Sequence, residues 1–161
     1  MKIFLISQKQ FLPITIDEAW SFFSDPRNLT EITPETMDFK IEYVSGDGSM
    51  YPGQLIKYRI KIIRGIRVNW LTEITQVKFQ QFFIDEQRFG PYAFWHHQHL
   101  FKAVAGGTEM IDEVNYALPL GWLGRIAHAL FVGRQLREIF MHRQQVLQKR
   151  FKKGLYGTVT A

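Results

Sequence analysis

The stretch AFWHHQHLF holds three histidines within four positions: His96, His97 and His99. An imidazole can ligate a metal, carry a proton near neutral pH or serve as a polar hydrogen-bonding group. Which of these it does depends on the face of the chain it occupies. Residues two apart on a strand share a face, so His97 and His99 belong together and His96 points the other way. The next run, TEMIDEVNYALP, brings Asp112 and Tyr116. Between the two runs lies Gly106-Gly107, a two-residue hairpin signal.

With those glycines as the loop, Ala105 opposes Thr108. Trp95 then faces Leu118, His97 faces Tyr116, His99 faces Val114, Phe101 faces Asp112 and Ala103 faces Met110. The opposite side carries His96, Gln98, Leu100, Lys102, Glu109, Ile111, Glu113, Asn115 and Ala117 and is the more polar, so it is expected to meet water. His97, His99, Asp112 and Tyr116 are therefore expected inside, among Trp95, Phe101, Met110 and Leu118. Polar groups in such surroundings need partners, because burying them unpaired is costly. Four roles satisfy that need. One is an internal network, His99 to Asp112 and His97 to Tyr116, that pins strand register. The second is a polar patch that orients a ligand in an apolar pocket. The third is general acid/base catalysis, with His97, His99 and Asp112 as candidate catalytic groups. The fourth is a metal site, for which a third ligand must come from Asp112 or Asp85 and no spacing enforces it. The expectation is no metal and no cofactor.

A second informative stretch is FIDEQRFGP. Phe83, Asp85 and Gln87 share one face, Ile84, Glu86 and Arg88 the other, and periodicity leaves open which looks inward. GDGSMYPG is glycine-rich but lacks the Lys-Ser/Thr ending and following helix of a phosphate loop, so it reads as a turn over a cavity mouth. Arg125, His128 and Arg134 are candidates for an anionic ligand head, or are solvated. Trp20, Trp70, Trp95 and Trp122 either stack on a flat ligand or fill the core.

The elements that must position these residues follow from period and punctuation. KIFLISQKQFLP reads as a strand ended by proline, and TIDEAWSFFSDP as a short helix capped by Thr15 or Asp17. PRNLTEITPE reads as a second short helix. From MDFKIEYVS to TEMIDEVNYALP the chain reads as six consecutive antiparallel strands. From Gly121 the period becomes helical, with Leu123, Ile126, Leu130, Leu136, Phe140, Leu147 and Phe151 near one side and Gly154 as the expected stop. Gly133 is expected to bend this helix or admit a close neighbour. The expected fold is α+β: a seven-stranded curved antiparallel sheet wrapped around a long C-terminal helix, with two short helices after strand 1. A domain over 1–153 and a tail over 154–161 account for the chain.

Its 161 residues suit one core, and 15% aromatic residues, 14 of them Phe, suit large flat walls. The absence of cysteine excludes disulfides and thiolate metal sites. No apolar run approaches ~20 residues, and the first residues do not read as a secretion signal, so the expected location is cytoplasmic, with no membrane span. The net charge of +5 is uneven. Between Gly121 and Lys153 eight basic residues stand against Glu138 alone, ending in Lys149, Arg150, Lys152 and Lys153. Such a segment is a footprint for nucleic acid or an anionic membrane, or the wet face of an amphipathic helix. The wet face is expected here, with no nucleic-acid partner; a protein partner stays open.

Three segments, FLPITIDEAWSFFSDPRNLTEITPETMDFKI, FIDEQRFGPYAFWHHQHLF and GGTEMIDEVNYALPLGWLGRIAHALFVGRQLREIF, resemble the SRPBCC group of the START-like, helix-grip superfamily. The resemblance runs from Phe11 to about Phe151 and is nearest to small bacterial ligand-binding SRPBCC proteins. These are labelled polyketide cyclase/dehydrase-like or, when fused to an epimerase-like domain, cell-division-inhibitor-like. It implies the helix-grip fold and a hydrophobic or aromatic ligand, lipid- or polyketide-like, held between sheet and helix. By the same resemblance Asp85 or Gln87 joins the cavity. The expected ligand walls are Phe83, Trp95, Phe101, Met110, Leu118 and Phe140, with Asp85, His97, His99, Asp112 and Tyr116 at the polar end. Two alternatives stand beside binding: a cofactor-free cyclase or dehydratase, and an interaction protein that uses the basic helix end.

Overall fold

The computed structural model describes residues 1–62 and 65–152. Its element order is β1 (Phe4–Leu12), α1 (Ile16–Phe23), α2 (Leu29–Ile32), then β2 (Lys40–Val44), β3 (Gln54–Lys61), β4 (Arg67–Lys78), β5 (Phe82–Phe89), β6 (Phe94–Val104) and β7 (Gly107–Ala117), followed by α3 (Gly121–Ala127) and α4 (Gly133–Lys152). Short 3-10 turns flank α2 at Pro26–Asn28 and Glu35–Met37. The seven strands form one antiparallel sheet in the order β1-β7-β6-β5-β4-β3-β2. Strands β2 to β7 are a meander, and β1 closes against β7. Register shifts in β2 and at two places between β4 and β5 mark bulges, which bend a strand and increase its twist.

The helical insert is locally encoded. Thr15 caps α1: its hydroxyl accepts from Glu18 N, and the Glu18 carboxylate accepts from Thr15 N at 2.8 Å, a reciprocal capping box. Ala19, Trp20, Phe22 and Phe23 are buried against Phe83, Phe101 and Met110 in the main core, which Leu147 of α4 also enters. Asp25 ends the helix and accepts from Arg27 N across Pro26.

Two expectations are corrected. The β6–β7 loop is Ala105-Gly106, because Val104 pairs with Gly107. Only Gly106 takes a positive φ, +79°. Gly107 serves another purpose: a Cβ there would stand 2.2 Å from the Leu12 carbonyl oxygen, so β1 can close on β7 only over a glycine. Trp95 therefore faces Tyr116, His97 faces Val114, His99 faces Asp112 and Phe101 faces Met110. The offset is two residues, so every side chain keeps its expected face.

The second correction concerns the last helix. It is interrupted by a π turn at His128–Val132, and the extra residue rotates the following face by about 100°. Leu123, Ile126 and Leu130, expected inside, are exposed, whereas Val132, Leu136, Phe140, Arg143 and Leu147 are buried. Gly133 does admit a close neighbour, since a Cβ there would lie 2.9 Å from the His128 ring. The expected stop at Gly154 and the tail 154–161 lie outside the described residues. No helix among the described residues is long and apolar enough to cross a membrane.

Candidate functional site

Between the concave face of the sheet and α4 lies a cavity of about 230 Å³. Its walls come from every layer: Phe22, Phe23 and Leu29 from the helical insert, Ile56, Tyr58 and Ile60 from β3, Trp70, Thr72 and Ile74 from β4, and Leu136, Ile139, Phe140 and Arg143 from α4. Met50 of the GDGSMYPG turn reaches it as well. That turn is packed by Tyr51, whose hydroxyl is 2.8 Å from Ser45 Oγ.

One end of this apolar space is ionic. The Phe83 face of β5 points inward, so Asp85 joins His97 and His99 across the β5–β6 pair, where Asp85 opposes His97 and Phe83 opposes His99. The two imidazoles lie against each other with centroids 3.7 Å apart and planes tilted by 38°, and Phe83 stacks on His99 at 4.1 Å. Each ring lies between two carboxylates. Asp85 Oδ2 is 3.3 Å from His97 Nδ1 and 2.9 Å from His99 Nε2. Asp112 Oδ1 is 3.1 Å from His97 Nε2 and 2.8 Å from His99 Nδ1. The last contact is short but out of line, so His99 Nδ1 is buried without a hydrogen bond. Arg143 Nη2 stands 3.6 Å from Asp112 Oδ1, with the guanidinium over the Phe23 ring.

Burial by itself would push both carboxyls up and the His97 ring toward neutrality. Mutual attraction outweighs it. His97 and His99 hold Asp85 below the usual carboxylate range, Arg143 and both rings do the same for Asp112, and the two carboxylates raise His97. The cluster is an ionic assembly in a low-polarity wall, able to accept, donate or relay a proton or to hold a cation.

The sequence-predicted residues divide into two groups. Phe83, Asp85, Trp95, His97, His99, Leu118 and Phe140 line the cavity. Phe101 and Met110 lie in the core below the helical insert. Asp112 lies behind the histidines rather than on the cavity wall. Tyr116 does not pair with His97; its hydroxyl is 2.8 Å from His128 Nε2, whose ring stacks on Phe4 at 3.6 Å. Gln87 clasps the Gly90-Pro91 turn, donating to Tyr92 O and accepting from Tyr92 N. His96 faces outward and meets Glu86 at 2.9 Å. Arg134 pairs with Glu138 and Arg150 with Glu31, while Trp122 is exposed. Trp70 and Trp95 are cavity walls and meet edge to face.

Sequence reasoning missed Arg143, Tyr58 and Tyr92. For Arg143 a signal existed: Leu136, Phe140, Arg143 and Leu147 follow the 4-3-4 spacing of a buried helix stripe, and a cation on such a stripe demands a buried anion. Tyr58 bonds Thr72 Oγ1 at 3.3 Å, and burial pushes its hydroxyl pKa up.

No family model and no curated protein matches the sequence. Solved structures do match. TTHA0849 from Thermus thermophilus superposes with a TM-score of 0.71 at 14% identity, over 93% of this chain and 98% of that one. CV1439 from Chromobacterium violaceum gives 0.70 at 10% identity over 91% and 96%. Ara h 8.0201 gives 0.58 at 17% identity over 92% and 99%. At these identities the likeness concerns the backbone alone. With the seven-stranded antiparallel sheet, the two short helices after its first strand and the long C-terminal helix across its concave face, it shows that this chain has the α+β helix-grip fold.

Proposed function

We propose that this protein binds a compact hydrophobic or aromatic small molecule in the cavity between sheet and α4, with the polar end of the guest turned toward Asp85, His97, His99 and Arg143. The observation that carries this reading is the combination of a mostly apolar hollow with an ionic cluster at one end. Ligand sites commonly pair apolar walls with a few convergent polar groups. A further feature supports a guest with an acceptor atom: the indole Nε1 of Trp70, a cavity wall, is buried and has no hydrogen-bond partner. The volume of about 230 Å³ lies just below the roughly 300–1,000 Å³ of drug-sized sites, so the guest is compact.

The experiment is native mass spectrometry of protein purified from its own host, followed by thermal-shift screening against short-chain lipid, aromatic-acid and polyketide libraries. A bound molecule that stabilises the wild type, and is lost when Leu136→Trp fills the cavity in a folded variant, is the expected outcome. Failure of every library together with a guest-free native mass would reject the reading.

Acid/base catalysis on the same guest is a second reading, favoured by one observation: His97, on the cavity wall, touches both carboxylates. It requires His97→Gln and His99→Gln to lower turnover by about 10²–10⁴-fold while changing guest affinity far less. Parallel losses of both would leave binding alone.

A further inference from the structure

We infer that Asp85, His97 and His99 form the site of a divalent transition-metal ion at the end of the cavity, with Asp112 orienting the two imidazoles from behind. The three residues each offer one ligand atom, and these atoms lie within 4.8 Å of one another. The relevant atoms are Asp85 Oδ2, His97 Nδ1 and His99 Nε2. Oδ2 is 3.3 Å from one nitrogen and 2.9 Å from the other. Donors around a tetrahedral ion with bonds of about 2.0–2.1 Å stand about 3.3 Å apart; both Asp85 separations are close to that spacing, and the two nitrogens lie within 4.8 Å of each other.

The arrangement is layered as metal sites are. All three donors belong to cavity-lining residues, whereas Asp112 does not. The ring nitrogens turned away from Asp85 are turned toward Asp112, at 3.1 and 2.8 Å. A carboxylate behind a ligating histidine fixes its tautomer and orientation and raises its basicity. Here Asp112 is hydrogen-bonded to His97 and stands beside His99 Nδ1 out of line, and Arg143 on α4 balances its charge. A set of three protein ligands leaves a coordination position facing the cavity, as sites that bind a water or a substrate do. Two imidazoles and one carboxylate suit a zinc-class ion better than calcium or magnesium, which prefer all-oxygen sets.

Hydrogen-bond alignment favours the same conclusion. A network built only to satisfy itself would align each nitrogen with a partner, yet His99 Nδ1 is buried without one in line. Binding a divalent ion at the Asp85 edge frees the rings to turn their outer N–H groups onto Asp112.

The test is independent of any organic guest. Chelator-stripped full-length protein is titrated with Zn²⁺ against a chromophoric chelator and, separately, with Co²⁺ while the visible d–d absorption is recorded. The expected result is one equivalent bound with Kd below about 1 µM and a Co²⁺ band typical of four or five ligands. Asp85→Asn and His99→Gln are each expected to weaken binding at least tenfold. Asp112→Asn is expected to weaken it about 10–100-fold while keeping the Co²⁺ band. His96→Gln, on the outer face, is expected to change nothing. Circular dichroism confirms that each variant is folded. The wild type decides the matter even if a variant unfolds: no stoichiometric Zn²⁺ binding and no Co²⁺ band overturns the assignment, as does loss of binding in His96→Gln. A failed guest screen leaves this titration untouched, so the two readings fail separately.

Discussion

The Asp112–Arg143 contact is the place where the buried charge argument is most exposed to measurement. It joins β7 to α4 and is the link between the ionic end of the cavity and the helix that closes it. At 3.6 Å and an effective dielectric constant near 20, the Coulomb attraction is roughly 5 kcal/mol. Desolvation of both groups opposes it, so the net value of the pair is far smaller than the attraction. Breaking the pair from one side is different, because the survivor remains buried. Asp112→Asn strands Arg143, which is only 8% exposed and already has an unpartnered Nε, and the expected loss is about 3–5 kcal/mol. Arg143→Met strands Asp112 less severely, because His97 and His99 still touch it at 3.1 and 2.8 Å and the Met side chain replaces the buried stem; about 1–3 kcal/mol is expected. The double variant leaves neither charge alone. Its loss is expected to fall short of the sum of the singles by at least about 2 kcal/mol. Urea unfolding of chelator-treated protein, with midpoints and slopes compared across the four proteins, measures the cycle. Additivity within about 0.5 kcal/mol, or a loss under about 1 kcal/mol for Asp112→Asn, would refute the reasoning that α4 is fixed to the sheet through complementary buried charge.

Two other predictions concern the frame around the site. Gly107→Ala is expected to destabilise by about 1–3 kcal/mol, since its Cβ would meet the Leu12 carbonyl oxygen, a backbone atom that cannot yield without separating β1 from β7; Gly106→Ala tests the turn and not the strand contact, and hydrogen exchange at the β1–β7 pair should rise only in the former. His128 makes the junction of α3 and α4 pH-sensitive. Partial burial, then Arg137 and Lys2, lowers its pKa, so the unfolded chain takes up a proton near pH ~6.5 that the folded chain resists. Its contribution is intact above that value and declines as pH falls below it toward the folded pKa. Thermal melts from about pH 7.5 to about pH 5.5 should fall more steeply in the wild type than in His128→Gln; parallel curves would show that the ring is not held neutral.

Much of the fold was legible because it rests on local rules. The capping box of Thr15 and Glu18, the alternation of β6 and β7 and the change of period after Pro119 each announce an element without reference to any other. The inward face of β6 was legible for a sturdier reason: the side-chain period of a strand is two, so an error of two residues in hairpin register moves His99 from opposite Val114 to opposite Asp112 but cannot turn it outward. The register itself was not legible, because a glycine pair does not say which member supplies the positive φ and which the clearance for a neighbouring strand. That information lies in β1, about a hundred residues earlier.

The site was less legible than the fold, and the reason is the same non-locality. Asp85 could be placed on a face with Phe83, but the inward choice depends on β6 lying beside β5. The π turn at His128–Val132 has no local mark beyond Gly133, yet by inserting one residue it decides that Leu136, Phe140, Arg143 and Leu147, rather than Leu123, Ile126 and Leu130, face the sheet. Arg143 then becomes intelligible only together with Asp112. A buried guanidinium on an apolar helix stripe is unfavourable alone, and a buried Asp-His-His-Asp cluster is unfavourable alone. Each element carries a local cost that only the packed pair removes, so the polar end of the cavity is specified by α4 closing on the sheet and by no segment of the chain taken singly.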